Sequence, residues 1–363
     1  MRKISLAAAS GGCYDREKEI LAAWKGRKGE RDMKKILLLA TGGTIASVKG
    51  ATGLEPRKAP PALLRILGEL GEWYDITYRD ILNLDSSNIQ AEEWQLIARE
   101  IYASLDHYDG IVVTHGTDTM GYTASMLTFM LQNLQKPVVL TGSQLPVENP
   151  LSDARSNLAT ALAAVDHDLY GVSVAFHHKI ISGCRAVKVR TMGFDAFESV
   201  NSPDRGRVLA NGLQLYHRPP APLPGPTRLR DQICPAVFLL KLIPGTDPRI
   251  FASLQQLGYR GVVLEAFGAG GLHFVRRDLS AQIGRLVEAG IPVVVSSQCL
   301  YEGSDFSIYE VGRRVLASGA IQAGDMTTEA AVTKLMWALG QTGSLEGVRK
   351  IFATNYAGEI SEA

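Results

Sequence analysis

Thr117 and Asp118 share one turn, between the apolar run Ile111 to Val113 and a helical pattern. In that pattern Met120, Ala124, Leu127, Leu131 and Leu134 recur at spacings of four, three, four and three. A hydroxyl and a carboxylate between a buried strand and a helix start sit where open α/β sheets bind small ligands. Taken alone, the turn is better explained as a helix cap, which threonine and aspartate favour. A second turn of the same kind, Thr41-Gly42-Gly43-Thr44-Ile45-Ala46-Ser47, closes the apolar strand Ile36–Ala40 about 70 residues upstream. Two such turns shift the reading toward chemistry. A third polar cluster, Asn83-Leu84-Asp85-Ser86-Ser87-Asn88, follows a strand around Ile76–Tyr78, and a fourth, Thr141-Gly142-Ser143-Gln144, follows Lys136–Leu140. Neither glycine turn is a Walker A loop or GxGxxG, which disfavours a phosphate cradle. What the strand ends offer is hydroxyls, and a hydroxyl is a weak nucleophile until a neighbour takes its proton. The candidate activators are Asp118 and a lysine whose proton affinity burial has lowered, by up to about 3–5 pKa units when burial is complete. His115 adjoins the turn, but no third residue is placed to make it a relay base.

The elements that must position these groups alternate. Helical patterns at 62–71, 94–105 and 152–165 separate apolar strands, which predicts an α/β fold with a mostly parallel sheet, right-handed crossovers and helices on both faces. The stretch Ser47 to Pro61, polar and spotted with glycine, is expected to be a flap beside the first turn. Arg218-Pro219-Pro220-Ala221-Pro222-Leu223-Pro224-Gly225-Pro226 is too rich in proline to continue a helix or an inner strand, so it reads as a stiff linker. The expected organisation is an N-terminal extension over 1–32 outside the core fold, a larger N-terminal domain over 33–212, a linker over 213–235 and a smaller C-terminal α/β domain over 236–363. In the last part, apolar strands at 236–243, 261–266 and 291–296 alternate with helical patterns.

Composition narrows the function classes. The 363 residues are 46% apolar and 21% charged, a globular composition. Lys plus Arg is 38 against 37 for Asp plus Glu, so nothing recruits nucleic acid or an anionic membrane. Four cysteines (Cys13, Cys184, Cys234, Cys299) lie far apart without a CxxC pair, which argues against a disulfide framework or a zinc site and for a reducing cytoplasm. The apolar run Ile4–Ala9 is shorter than the roughly 7–15 residues of a secretory core. Met33 is read as the start of the folded domain.

Thr41-Gly42-Gly43-Thr44-Ile45-Ala46 and His115-Gly116-Thr117-Asp118-Thr119-Met120 resemble the two signature motifs of the L-asparaginase family. Thr141-Gly142-Ser143-Gln144 and Gly193-Phe194-Asp195-Ala196-Phe197 are also similar to that family, particularly its cytoplasmic type I branch. The resemblance runs from about Met33 to the C-terminus. It implies hydrolysis of the side-chain amide of L-asparagine to L-aspartate and ammonia, with Thr44 as the attacking threonine and a covalent β-aspartyl ester as intermediate. It implies that Thr117, Asp118 and Lys188 form a hydrogen-bonded second catalytic group. Lys188 is assigned from its place five residues before Gly193. Asp85, Ser86 and Ser87 resemble the loop that grips the substrate's α-amino and α-carboxylate groups, with Thr117 and Asp118 sharing that task. Backbone N–H groups at the Thr117 turn would hold the developing oxyanion. No cofactor or metal is implied, and the expected assembly is a homodimer or homotetramer.

The chain departs from the family pattern at the walls of the site. Many relatives carry a flap tyrosine, whereas Gly53-Leu54-Glu55-Pro56 has none. Tyr309, in the C-terminal domain, is the candidate replacement for contacting substrate. Phe267-Gly268-Ala269-Gly270-Gly271 lacks the asparagine that periplasmic relatives contribute from a neighbouring subunit. The alternative function is an ammonia-releasing catalytic subunit of a tRNA-dependent amidotransferase. A catalytically dead amino-acid-binding module is a third reading, opposed by the joint presence of Thr44, Thr117, Asp118 and Lys188.

Overall fold

The structure is a computed structural model that describes residues 33–49, 54–218, 222–306 and 310–361. The N-terminal extension over 1–32 and Tyr309 lie outside the described residues.

The first strand, β1 (Lys35–Gly42), is buried from its second residue to its last. A hairpin of β2 (Ser47–Lys49) and β3 (Leu54–Pro56) follows it and forms the flap. Then α1 (Pro61–Leu70), β4 (Asp75–Leu84), α2 (Ala91–Ser104) and β5 (Gly110–Thr114) complete the first crossovers. The chain continues through α3 (Met120–Met130), the short β6 (Leu131–Gln132), β7 (Pro137–Thr141), α4 (Ala154–Asp166) and β8 (Gly171–Phe176). Strands β4, β1, β5, β7 and β8 are neighbours in that order and all parallel.

Helices cover both faces of this sheet, because alternate residues of each strand point opposite ways. Ile36, Leu38, Val112 and Val139 pack with Leu63 and Leu67 of α1 and Leu158 and Leu162 of α4. Leu37, Leu39, Ile111, Val113 and Val138 pack on the other face with Ile97 and Ile101 of α2 and Met120 and Leu127 of α3. A strand buried on both faces has to be apolar throughout, as β1 and β5 are.

Beyond β8 the sheet turns antiparallel. The strand β9 (Lys179–Ser182) returns against β8 through His177 and His178, whose φ values are 46° and 63°. After the hairpin of β10 (Ala186–Lys188) and β11 (Phe197–Ser199), β12 (Gly206–Leu209) and β13 (Gly212–Leu215) extend the edge. The large sheet is therefore mixed. Its last strand falls inside the stretch 213–235 expected as linker, because Gly212 takes φ 105° and turns the chain back at once. Farther along, β14 (Arg228–Leu229) pairs with β6, so the proline-rich segment is tied to the N-terminal part.

The C-terminal part holds a four-stranded parallel sheet of β15 (Val237–Lys241), β16 (Gly261–Ala266), β17 (Val293–Ser297) and β18 (Ile321–Gln322). Its helices are α5 (Arg249–Gln256), α6 (Leu279–Glu288), α7 (Glu310–Ala317), α8 (Thr328–Gln341) and α9 (Leu345–Phe352). The single-faced helical pattern expected for α3 needs correction. The helix ends at Met130 rather than continuing to Leu134, and all its residues but Tyr122 are buried. It lies between the large sheet and α8, where Phe129 stacks on Trp337 with ring centroids 6.0 Å apart.

Candidate active site

Register fixes where the polar turns lie. Ala40 pairs with Thr114, and Thr114 with Thr141, so β1, β5 and β7 end level and release their turns at one edge of the sheet. Glycines then let the turns touch. A Cβ on Gly42 would stand 2.5 Å from the Leu84 backbone, and one on Gly43 would stand 2.4 Å from Gly116 N. A Cβ on Gly116 would stand 2.6 Å from Ser86 Oγ, and one on Gly142 would stand 2.3 Å from His115 O. Gly42 and Gly43 also take φ 108° and 78°, which side chains rarely adopt. Thr44, Thr117 and Ser86 are thereby brought together on turns in van der Waals contact.

Each expected group has a definite setting. Thr44 opens a single 3-10 turn after β1 and is half-buried. Its hydroxyl, and the backbone N–H groups of Thr44 and Thr117, have no hydrogen-bond partner among the described residues. Lys188 ends β10, and its Nζ donates to Thr117 Oγ1 at 2.8 Å and to Asp118 Oδ1 at 2.6 Å. Lys188 is mostly buried at 17% exposure while Asp118 is open at 65%, so the carboxylate faces the solvent side of the network. Asp85 Oδ1 accepts from Ser87 N at 2.8 Å and Ser87 Oγ at 2.7 Å, and these bonds hold its carboxyl below the usual range. Asp85 and Ser87 are exposed, and Ser86 is buried against Gly116. Thr119 Oγ1 donates to Ser86 O at 2.8 Å and locks this loop to the Thr117 turn.

His115 points into the core. Its Nδ1 meets Gly116 O at 2.7 Å and its Nε2 meets Thr123 Oγ1 at 2.9 Å, while Trp94 Nε1 donates to that same hydroxyl at 2.9 Å. Trp94 can only donate and a carbonyl can only accept, so the directions are fixed: tryptophan to threonine, threonine to histidine, histidine to Gly116 O. Burial pushes the His115 pKa down to about 4, so the ring is neutral and positions the carbonyl just before Thr117.

Sequence reasoning gave Gln144 no role, although it lies in the fourth polar cluster. Its Oε1 accepts from Thr117 Oγ1 at 3.3 Å, and its Nε2 donates to Thr191 O at 3.2 Å and Gly193 O at 3.0 Å. Gln144 therefore ties the Thr117 hydroxyl to the loop that follows Lys188. Its own backbone N–H is held by the Asp153 carboxylate at 3.0 Å. The signal available was position alone, at the end of β7 beside β5.

A threonine whose hydroxyl has no partner among the described residues, on a turn touching that of a threonine bonded to a lysine, gives the carboxyl edge of the sheet the parts that hydroxyl chemistry needs. The comparisons with known proteins narrow that chemistry. The chain matches the family description "Asparaginase, N-terminal" over residues 35–221 and "Glutaminase/Asparaginase C-terminal domain" over 236–352. It belongs to the asparaginase family. It is 45% identical to an L-asparaginase of Thermococcus kodakarensis, over 90% of this chain and 99% of that protein. A solved structure of the thermostable L-asparaginase from the same organism matches with a TM-score of 0.86 at 45% identity, covering 91% of this chain and 100% of that one. L-asparaginase I from Vibrio cholerae matches with a TM-score of 0.84 at 32% identity, covering 91% and 100%. A glutamyl-tRNA(Gln) amidotransferase subunit of Pyrococcus abyssi is 36% identical over 92% of this chain and 78% of that protein.

Proposed function

We infer that this protein hydrolyses the side-chain amide of L-asparagine to L-aspartate and ammonia. The observation that carries the reading is the Lys188–Thr117–Asp118 network beside the free hydroxyl of Thr44. Thr44 Oγ1 attacks the amide carbon, and the unpaired N–H groups of the two turns receive the oxyanion. Lys188 donates to Thr117 Oγ1, so the Thr117 hydroxyl can release its proton to the departing amide nitrogen while Lys188 replaces it, and the proton that Thr44 Oγ1 loses on attack restores Lys188. The C–N bond breaks, ammonia leaves, and an aspartyl ester remains on Thr44. Water then attacks the ester, and the proton path runs in reverse. In this reading Asp118 and Asp85 receive the substrate ammonium, with Ser86 and Ser87 beside them, and Tyr309 is a further substrate contact. The protein acts in the cytoplasm as a homodimer or homotetramer. No helix among the described residues is long and apolar enough to cross a membrane.

The amidotransferase-subunit reading has weaker support, since those relatives are 36% identical against 45% for the L-asparaginase. The deciding experiment is ammonia release from purified protein given asparagine, with no tRNA, nucleotide or metal added. Turnover is expected. Release that requires an aminoacylated tRNA and a partner protein would overturn the reading.

A further inference from the structure

A cleft of about 600 Å³ opens at the opposite end of α3 from the catalytic turns. The helix starts three residues after Thr117 and has 11 residues, so at 1.5 Å per residue the cleft lies about 16 Å along it. Among the described residues that line the cleft, two are arginines, Arg205 and Arg228, and none is an aspartate, glutamate, lysine or histidine.

Arg205 is 4% exposed. Its Nη1 donates to Val172 O at 3.1 Å, Tyr170 O at 3.3 Å and Ser173 Oγ at 2.8 Å, and its Nη2 donates to Ser182 Oγ at 3.2 Å. Every one of these acceptors is neutral. The adjacent Asp204 is engaged by Arg207 at 3.2 Å, and no carboxylate is within ion-pair range of Arg205 among the described residues. Cys184 lies nearby, but burial pushes its thiol up and keeps it uncharged. Burial draws the Arg205 pKa down only to about 10, so the guanidinium stays charged at neutral pH. Carbonyls and hydroxyls satisfy its hydrogen bonds without cancelling its charge, and a buried charge without a counter-ion is costly.

The cleft is built rather than incidental. Its outer wall, the strap Leu223–Pro226, is held by Asn133 Nδ2, which donates to Leu223 O at 3.0 Å and Gly225 O at 3.1 Å. Prolines at 222, 224 and 226 stiffen that wall. Arg228 is exposed, and its side chain has no partner among the described residues. Two guanidiniums in a space far larger than a halide suit the forked oxygens of a carboxylate or phosphate.

We propose that this cleft binds a small multivalent anion, a polycarboxylate or a phosphate, through Arg205 and Arg228. The anion supplies the counter-charge that Arg205 lacks. The site is separate from the substrate pocket and does not depend on the proposed hydrolysis.

The test is to titrate inorganic phosphate and citrate into the full-length protein, following Tm and binding heat, with sodium chloride at matched ionic strength as reference. A saturable rise in Tm with either anion is expected, the tighter of the two assigning phosphate or carboxylate chemistry. Arg228→Glu should weaken binding at least tenfold and still fold, because the residue is exposed. Arg205→Met should abolish binding if it folds. Thr117→Ala should keep the full response. The proposal is overturned if neither anion exceeds the chloride reference, if Arg228→Glu responds like the parent, or if Thr117→Ala loses the response.

Discussion

A threonine hydroxyl reacts only when its proton has somewhere to go and nothing else holds the oxygen. In the proposed mechanism Thr44 meets the second condition, having no partner for its hydroxyl among the described residues, and a proton path through Thr117 and Lys188 meets the first. Thr44→Ala is expected to lower kcat by about four orders of magnitude or more, as removal of a nucleophile does elsewhere, with an unchanged circular dichroism spectrum. Lys188→Met should lower kcat sharply with a smaller change in KM, measured by steady-state ammonia release. His115 makes a different prediction, one of stability. Its pKa is 6.5 when unfolded and about 4 when folded, so the unfolded chain binds more protons between those values. Its contribution is fully present above pH 6.5 and is lost as pH falls toward 4, a total of about 3 kcal/mol. Urea unfolding at pH 7 and pH 5 should show a drop of about 2 kcal/mol from this group. His115→Gln should lack that component. An identical pH dependence in parent and variant would contradict the assignment.

At the scale of elements, the site exists because glycines let four strand ends touch. Gly116→Ala places a Cβ 2.6 Å from Ser86 Oγ and 2.7 Å from Ser86 Cβ, so one turn must move. The expected cost is about 1–3 kcal/mol in thermal or urea unfolding, accompanied by a fall in kcat/KM. Much of this was legible in the sequence. Unbroken apolar runs marked β1, β5 and β7, and polar turns after them marked Thr44, Thr117, Asp118 and the loop at Ser86. Lys188 could be placed by resemblance alone, since a lysine on a three-residue strand has no pattern of its own. The return from β8 to β9 was not legible, because two histidines hold the left-handed turn positions where asparagine and glycine are usual. The near-complete burial of α3 also escaped, because its outer face is covered by α8, about 200 residues later in the chain. The hairpin of β12 and β13 was missed too, because the dense prolines that follow signal irregular chain more loudly than the single turn at Gly212 signals a strand.

At the scale of the molecule, the C-terminal part closes over α3, Arg185 ties it to the N-terminal part, and a buried ion pair fastens its own tail to α8. Lys334 and Glu359 are both fully buried, with Nζ 2.7 Å from Oε1 and 2.8 Å from Thr354 O. Tyr356 N and Ala357 N complete the carboxylate, and Arg185 reaches Asp325 and Gly358 nearby. Lys334→Met strands the glutamate and should cost about 3–5 kcal/mol in unfolding measurements. Pairing it with Glu359→Gln should recover part of that loss. The proposed chemistry as a whole rests on one covalent event, an aspartyl ester on Thr44. The most direct measurement is mass spectrometry of the parent protein quenched with acid during steady-state turnover of asparagine, followed by tryptic digestion. An aspartyl adduct is predicted on the peptide Ile36–Lys49, localised to Thr44 by fragmentation. An adduct on Thr117, or turnover with no ester on either threonine, would contradict it.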